Sequence, residues 1–221
     1  MAKTWSADHP KAGLMARKRA AMVEAAMKAF LEVGYAEASV NQIAASAGVS
    51  IKTLYRHFES KDDLFSAVMQ AACGKTPEAD AGEAGRDRSP PDWYSAPPVD
   101  ALTQAGEEYL RHVLSRDQLA LYRVVARDAP RFPELGRRYR EETIGSRDAV
   151  FGGYLDLWAE RAGWTVGDRR AATEAFAGLL KAGLYDDALL GLHQPSEAAI
   201  VHRAREAAQS ILLLLSAGRF R

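Results

Sequence analysis

Between Ser50 and Lys61 the chain reads "SIKTLYRHFESK", crowding three cationic side chains, a histidine and several hydroxyls into little more than three helical turns. Lys52 and Arg56 can neutralise phosphates and read guanine edges. The Thr53 and Tyr55 hydroxyls suit phosphate oxygens, and Ile51 offers an apolar contact for a thymine methyl. This is the inventory of a short helix made for a DNA major groove. Other chemistries lack their residues: the chain has no Gly-rich phosphate loop, no clustered metal ligands and no nucleophile motif, and its five histidines are scattered. No cofactor is called for, and the protein is expected not to be an enzyme. A single cysteine, Cys73, rules out an intramolecular disulfide framework and reads as a small hydrophobe.

The elements around this segment must hold it outward. From Arg17 to Val33, Val23, Met27, Phe30 and Val33 recur at helical spacing, with Ala20 and Ala26 beside them, and Gly34 serves as a stop. Ser39 is placed to cap a second, short helix with Val40, Ile43, Ala44 and Ala47 inward, and Gly48 supplies the turn. Ser50 caps a third helix whose Leu54 and Phe58, four apart, point to the core, leaving Ile51, Lys52, Thr53, Tyr55, Arg56 and His57 outside. Ala44, small and four before the glycine, lets the two helices cross closely, which makes a helix-turn-helix unit. "SKDD" at 60–63 resembles a capping box opening a fourth helix over 61–72, with Lys61 beside its positive end, where phosphates bind favourably.

Charge agrees with this placement. Residues 1–61 carry nine Lys/Arg against five Asp/Glu, and the remaining 160 carry 20 against 24, so a neutral chain has a basic front. At 221 residues with 48% hydrophobic content it can bury a sizeable core. The start "MAKTWSADHP" has no apolar signal core, and the run "ILLLL" is too short to span a bilayer, so the expected location is cytoplasmic, with no membrane partner.

Residues 17–65 closely resemble the DNA-binding domain of the TetR family of bacterial transcriptional regulators. The resemblance is carried by "FLEVGY", by the run from Ser39 to Ser50, "SVNQIAASAGVS", and by "TLYRHFESKDDL". It implies an all-helical fold of about nine helices, in which a helix-turn-helix head precedes a helical body that dimerises and binds ligand. By position, Ser39, Asn41, Ser50, Ile51, Lys52, Thr53, Tyr55 and His57 fall where the family touches DNA. Thr53, Tyr55 and Lys61 match phosphate contacts. Asn41, Ile51, Lys52 and His57 lie nearer bases, although a histidine here also serves as a packed or phosphate-bonding residue, and Arg56 occupies a variable position. The later stretch "LYRVVARDAPRFPEL", 121–135, resembles regulatory domains of the family, except that Asp128 stands where Glu is common.

The domain division expected is an arm over 1–16, the head over 17–73, a linker over 74–98 whose prolines and glycines leave no helix, and a body over 99–216. The arm, with Lys11, Arg17, Lys18 and Arg19, either reaches flanking DNA or is a solvated tail. Body helices are expected at about 99–115, 117–128, 133–162, 168–191 and 196–216. The last two, with Phe176, Leu179, Leu180, Gly183, Leu184, Ile200, Ala207, Ile211, Leu214 and Leu215, are the candidates for a homodimer interface, or else serve the monomer core. Tyr122, Phe151, Tyr154 and Trp158 are the aromatic candidates for an effector pocket, with His112, Arg123 and Arg147 as polar groups. The expected function is a repressor that binds a palindromic double-stranded operator as a homodimer and is released by a small apolar or aromatic effector. An activator, or a DNA-binding protein without an effector, would share the same head.

Overall fold

A computed structural model describes residues 10–72 and 92–221, and among the described residues every regular element is helical. Helix α1 (Pro10–Glu37) leads to α2 (Val40–Ser46), α3 (Ile51–His57) and α4 (Lys61–Ala72). A 3-10 turn (Asp92–Ser95) precedes α5 (Pro98–Val113), α6 (Arg116–Asp128) and α7 (Pro133–Tyr139). A π-helical turn (Arg140–Ile144) runs into α8 (Gly145–Ala162), followed by α9 (Arg169–Lys181), α10 (Tyr185–Leu190) and α11 (Glu197–Ser216). No helix of the described residues is long and apolar enough to cross a membrane. Cys73 and residues 74–91 of the expected linker lie outside the described residues, as do residues 1–9 of the arm.

The boundaries follow local chemistry. Ser50 accepts from the Thr53 amide, Asp168 from Ala171 and Ser196 from Ala199, so α3, α9 and α11 start on side-chain caps. Pro98 and Pro133 occupy the first turns of α5 and α7, where the missing N–H costs nothing. Gly163 and Gly191 end α8 and α10 in the left-handed region, as their positions in the sequence suggest. Three expectations fail. α1 already starts at Pro10 and not at about Arg17, so residues 10–16 of the expected arm are helical. The helix expected over 133–162 is interrupted by the π turn, and that over 168–191 breaks at Ala182–Leu184, where Gly183 has φ +73° and α9 ends.

The chain divides into two compact units. The first holds the described residues up to Ala72 together with Ala120–Thr143. Its core joins Met22, Ala26 and Phe30 of α1 to Ile43, Leu54, Phe58, Leu64 and Phe65, and also takes in Leu121, Val124, Val125 and Leu135 of α6 and α7. Burying each such large side chain contributes about 1.5–3 kcal/mol. Val33, expected in the core, is 48% exposed, because the buried stripe of α1 runs through Met22, Ala26 and Phe30 at i+4 steps and leaves i+3 from Phe30 to one side.

The second unit holds Asp92–Leu119 and Ile144–Arg221. Its helices cross closely at Gly106 of α5, where an added Cβ would lie 2.7 Å from Leu180 and 3.2 Å from Ala204. Phe176, Leu180, Ile200, Ala207, Ile211 and Leu215, offered by the sequence for dimerisation, are buried in this unit's own core. Their spacing on α9 and α11 builds the monomer. Among the large apolar side chains left outside are Leu190, Leu192, Val201 and Leu213, of which Leu190, Leu192 and Leu213 are more than two-thirds exposed.

Candidate nucleic-acid interface

The helix-turn-helix is assembled from α2, the Gly48 turn (φ +66°) and α3. The Val49 amide donates to the Ala44 carbonyl at 3.0 Å, closing the turn, and Ile43, Ala44, Leu54 and Phe58 are fully or almost fully buried beneath it. With Leu54 and Phe58 committed inward, the rest of α3 faces out. Lys52 and Arg56 are exposed, Ile51 is 37% and Tyr55 51% exposed, and Thr53 and His57 are half-buried. An exposed isoleucine and tyrosine one turn apart on a seven-residue helix offer apolar and hydroxyl contacts of the kind a base-reading surface uses.

The hydroxyls divide in two. Ser50 and Thr53 bond each other at 2.9 Å across the first turn of α3, which orients both. Ser39 occupies the N-cap of α2 with extended backbone, yet its side chain makes no capping bond, and Asn41 beside it is exposed. The start of α2 therefore presents a serine, an asparagine and the helix's own N–H groups. At α4, Ser60 accepts from the Asp63 amide and Asp63 accepts from the Glu59 amide, both at 3.0 Å: the capping box read in "SKDD", with its return bond one residue earlier than the standard pattern.

Lys61, expected at a phosphate, has a partner within the protein. Its Nζ donates to the Ala36 carbonyl at 3.2 Å and lies 4.6 Å from the centre of the Tyr35 ring, and burial pushes its ammonium below the ordinary range against the opposing pull of Glu37, Asp128 and Asp62. His57 is held below its usual pKa first by burial, then by the charges of Arg56, Arg19 and Lys18. Its Nε2 is shielded and makes no hydrogen bond among the described residues. The same charges identify a basic corner: Lys18 and Arg19 of α1, which the sequence left between a reach to flanking DNA and a solvated tail, stand near the C-terminal end of α3, with the Arg19 guanidinium 4.6 Å over the Phe58 ring. The signal was the cluster "RKR" at 17–19, whose helical continuation back to Pro10 puts two of its members beside the recognition helix.

The effector candidates divide between the two units. Tyr122 is in the first unit, half-buried with its ring 5.6 Å from that of Tyr139. The others are in the second: Phe151 stacks on Phe176 at 4.8 Å, Tyr154 is fully buried, and half-buried Trp158 donates its indole N–H to the Tyr94 carbonyl at 3.2 Å. Of the polar candidates, Arg147 pairs with Asp148 and Tyr109, and His112 is half-buried, which lowers its pKa. Among the described residues no group of His, Cys, Asp and Glu is arranged to hold a metal ion.

Comparison with known proteins agrees with this geometry. Residues 22–68 match the family described as bacterial regulatory proteins of the tetR family, and residues 100–214 match the C-terminal domain of AefR-like transcriptional repressors. The transcriptional regulator BetI of Yersinia pestis is 43% identical over 61 residues, 28% of this chain and 31% of that protein. The transcriptional activator FasR of Mycolicibacterium smegmatis is 43% identical over 53 residues, 24% of each. The chain thus spans a third or less of the length of these relatives. Among solved structures, a TetR-family regulator from Mesorhizobium loti shares 25% identity over 90% of this chain and 97% of its own, with a TM-score of 0.74. The flavonoid-responsive regulator FrrA shares 27% over 89% and 96%, with a TM-score of 0.72. With a regulatory-domain family matched over more than half of its length and the head matched separately, the chain belongs to the TetR family of bacterial transcriptional regulators.

Proposed function

We propose that this regulator is a homodimeric repressor that inserts α3 into the major groove of each half of a palindromic operator and leaves it when a small aromatic effector binds the body. The observation that carries the reading is the division of α3: Leu54 and Phe58 are buried while Lys52, Tyr55 and Arg56 stand exposed on one short helix. Ile51, Lys52, Asn41 and His57 take the base-proximal positions. Ser39, Ser50, Thr53, Tyr55 and Arg56, with Lys61 at the start of α4, take the backbone-proximal ones. One seven-residue helix reads too few base pairs for selectivity, so two copies must act on half-sites about 34 Å apart. The exposed Val201 and Leu213 of α11, with Leu190 and Leu192 after α9, supply apolar surface for pairing the last helices. The AefR-like repressor match of the body supports repression, and the flavonoid-responsive neighbour supports an aromatic effector.

The test is fluorescence-anisotropy titration of the full chain against duplex from its gene's own upstream region, in a salt series, with Lys52→Ala and Tyr55→Ala as controls. Selective binding that weakens with salt and is damaged by both substitutions is the expected result. Equal affinity for scrambled duplex would overturn it. Thermal shift against a library of aromatic metabolites separates an effector-controlled repressor from one without an effector, since only specific binding to the native state raises the melting temperature.

A further inference from the structure

The first unit contains a connection that DNA reading alone does not require. At Gly34 the backbone of α1 turns through φ +87°, ψ 173°, a conformation suited to glycine, and the helical path resumes for three residues before α2. A break of this kind deprives the next amides of their partners four residues back. The deficit is met from a residue 93 positions away: the Asp128 carboxylate, at the last residue of α6, accepts from the Tyr35 amide at 2.7 Å and from the Ala36 amide at 3.4 Å. Arg127 grips the same carboxylate through Nε at 2.9 Å and Nη2 at 3.1 Å, and its guanidinium fills the space beside Gly34, where a Cβ would fall 1.2 Å from Nη2. The Asp128 side chain is 9% exposed.

The segment so held is tied on its other sides to α4 and to the α6–α7 loop. The Tyr35 hydroxyl bonds Asp62, the Ala36 carbonyl takes Lys61, and the Tyr35 ring lies within 5.2–5.7 Å of Phe132, Phe65 and Phe30. Two residues beyond Ala36, Ala38 donates to the Gly34 carbonyl and Ser39 then opens α2. One carboxylate thus fixes the point from which the helix-turn-helix is launched. That carboxylate belongs to α6, which begins among residues of the second unit and ends, at Asp128, in the first.

We propose that Asp128 is a positioning residue: by capping the backbone after Gly34, its carboxylate sets the placement of α2 and α3. The proposal rests on the reading of α3 as the helix that enters DNA. Guanidinium and amide donors around Asp128 hold its carboxyl below the ordinary carboxylate range, so the clamp stays charged at neutral pH. A purely local cap would matter only to Tyr35 and Ala36. A positioning residue matters as far as His57.

Hydrogen exchange by mass spectrometry on the full chain, with Asp128→Ala and Asp128→Asn, tells the two apart, and anisotropy with upstream duplex reads the consequence. In Asp128→Ala, exchange is expected to accelerate about tenfold or more through α2 and α3, with α11 unchanged as the internal control. Asp128→Asn keeps one carbonyl acceptor and is expected to fall between, which preserves the test if the alanine variant does not fold. Operator affinity should drop about tenfold at a temperature where circular dichroism shows the variant fully helical. Acceleration confined to Tyr35 and Ala36, or operator affinity equal to wild type, would overturn the proposal. If wild type selects no duplex while α2 and α3 still loosen, the operator reading fails and the coupling stands. Selective wild-type binding with exchange unchanged across α2 and α3 gives the reverse.

Discussion

Helix α3 and the second unit's aromatic cluster spend the same kinds of residue in opposite ways. On α3, Tyr55 and Ile51 are held out of the core by two inward residues on a helix of only two turns. In the second unit, Trp93, Tyr94, Tyr154 and Trp158 are consumed by one another: Trp93 is 4% exposed with its indole on Glu108, and its ring is 4.9 Å from Tyr94 and 5.6 Å from Tyr154. An aromatic side chain is evidence of binding only where packing leaves it over. In a short helix that surplus is forced by geometry, whereas in a bundle of long helices almost any aromatic can be absorbed.

The sharpest way to break this contrast is at Trp93. If the cluster is core, Trp93→Ala should cost about 3–5 kcal/mol in the second unit's unfolding by calorimetry; a loss below about 1 kcal/mol would return these rings to the pocket candidates. Next, Gly106→Val should cost about 1–3 kcal/mol, since the new side chain must displace Leu180 and Ala204, read as a lower urea midpoint with unchanged slope. Tyr55→Ala is the counterpart on α3: stability should stay within about 0.5 kcal/mol while operator affinity falls about tenfold, near 1.4 kcal/mol. A destabilisation well above that would mean Tyr55 is part of the core after all.

The smallest effect concerns pH. His57 in the folded head resists protonation more than the unfolded chain does, whose imidazole titrates near 6.5. Below that value the unfolded state binds more protons, so this contribution to stability is complete above about pH 6.5 and is lost as pH falls toward the folded pKa. Urea midpoints at pH 7.5 and 5.5 should therefore drift less in His57→Gln than in wild type. An identical drift would show that burial of His57 has no energetic weight.

Much of the head could be read from the sequence. The Leu54/Phe58 pair, the Ser50 cap, the Gly48 turn and the span of α4 are local patterns, and local patterns survive folding. What escaped were pairings between distant segments. Nothing in "VARDAPRF" says that Asp128 caps the backbone after Gly34, nor that α7 and most of α6 are built into the head's compact unit and not the body's. The 3-10 turn at Asp92–Ser95 was hidden by prolines that forbid a long helix but permit one short turn, pinned by burial of Trp93.

By itself the sequence determined which side chains a two-turn helix must leave in solvent, because a period of 3.6 residues and two committed apolar positions admit only one outward face. It likewise determined an all-helical chain with a basic front. Only the tertiary structure decided which aromatic residues become core, which apolar residues of α9 and α11 remain outside, and which distant carboxylate holds the start of the helix-turn-helix. Burial and hydrogen bonding between segments some 90 residues apart depend on how helices cross, and that is a property of packing that no local pattern encodes.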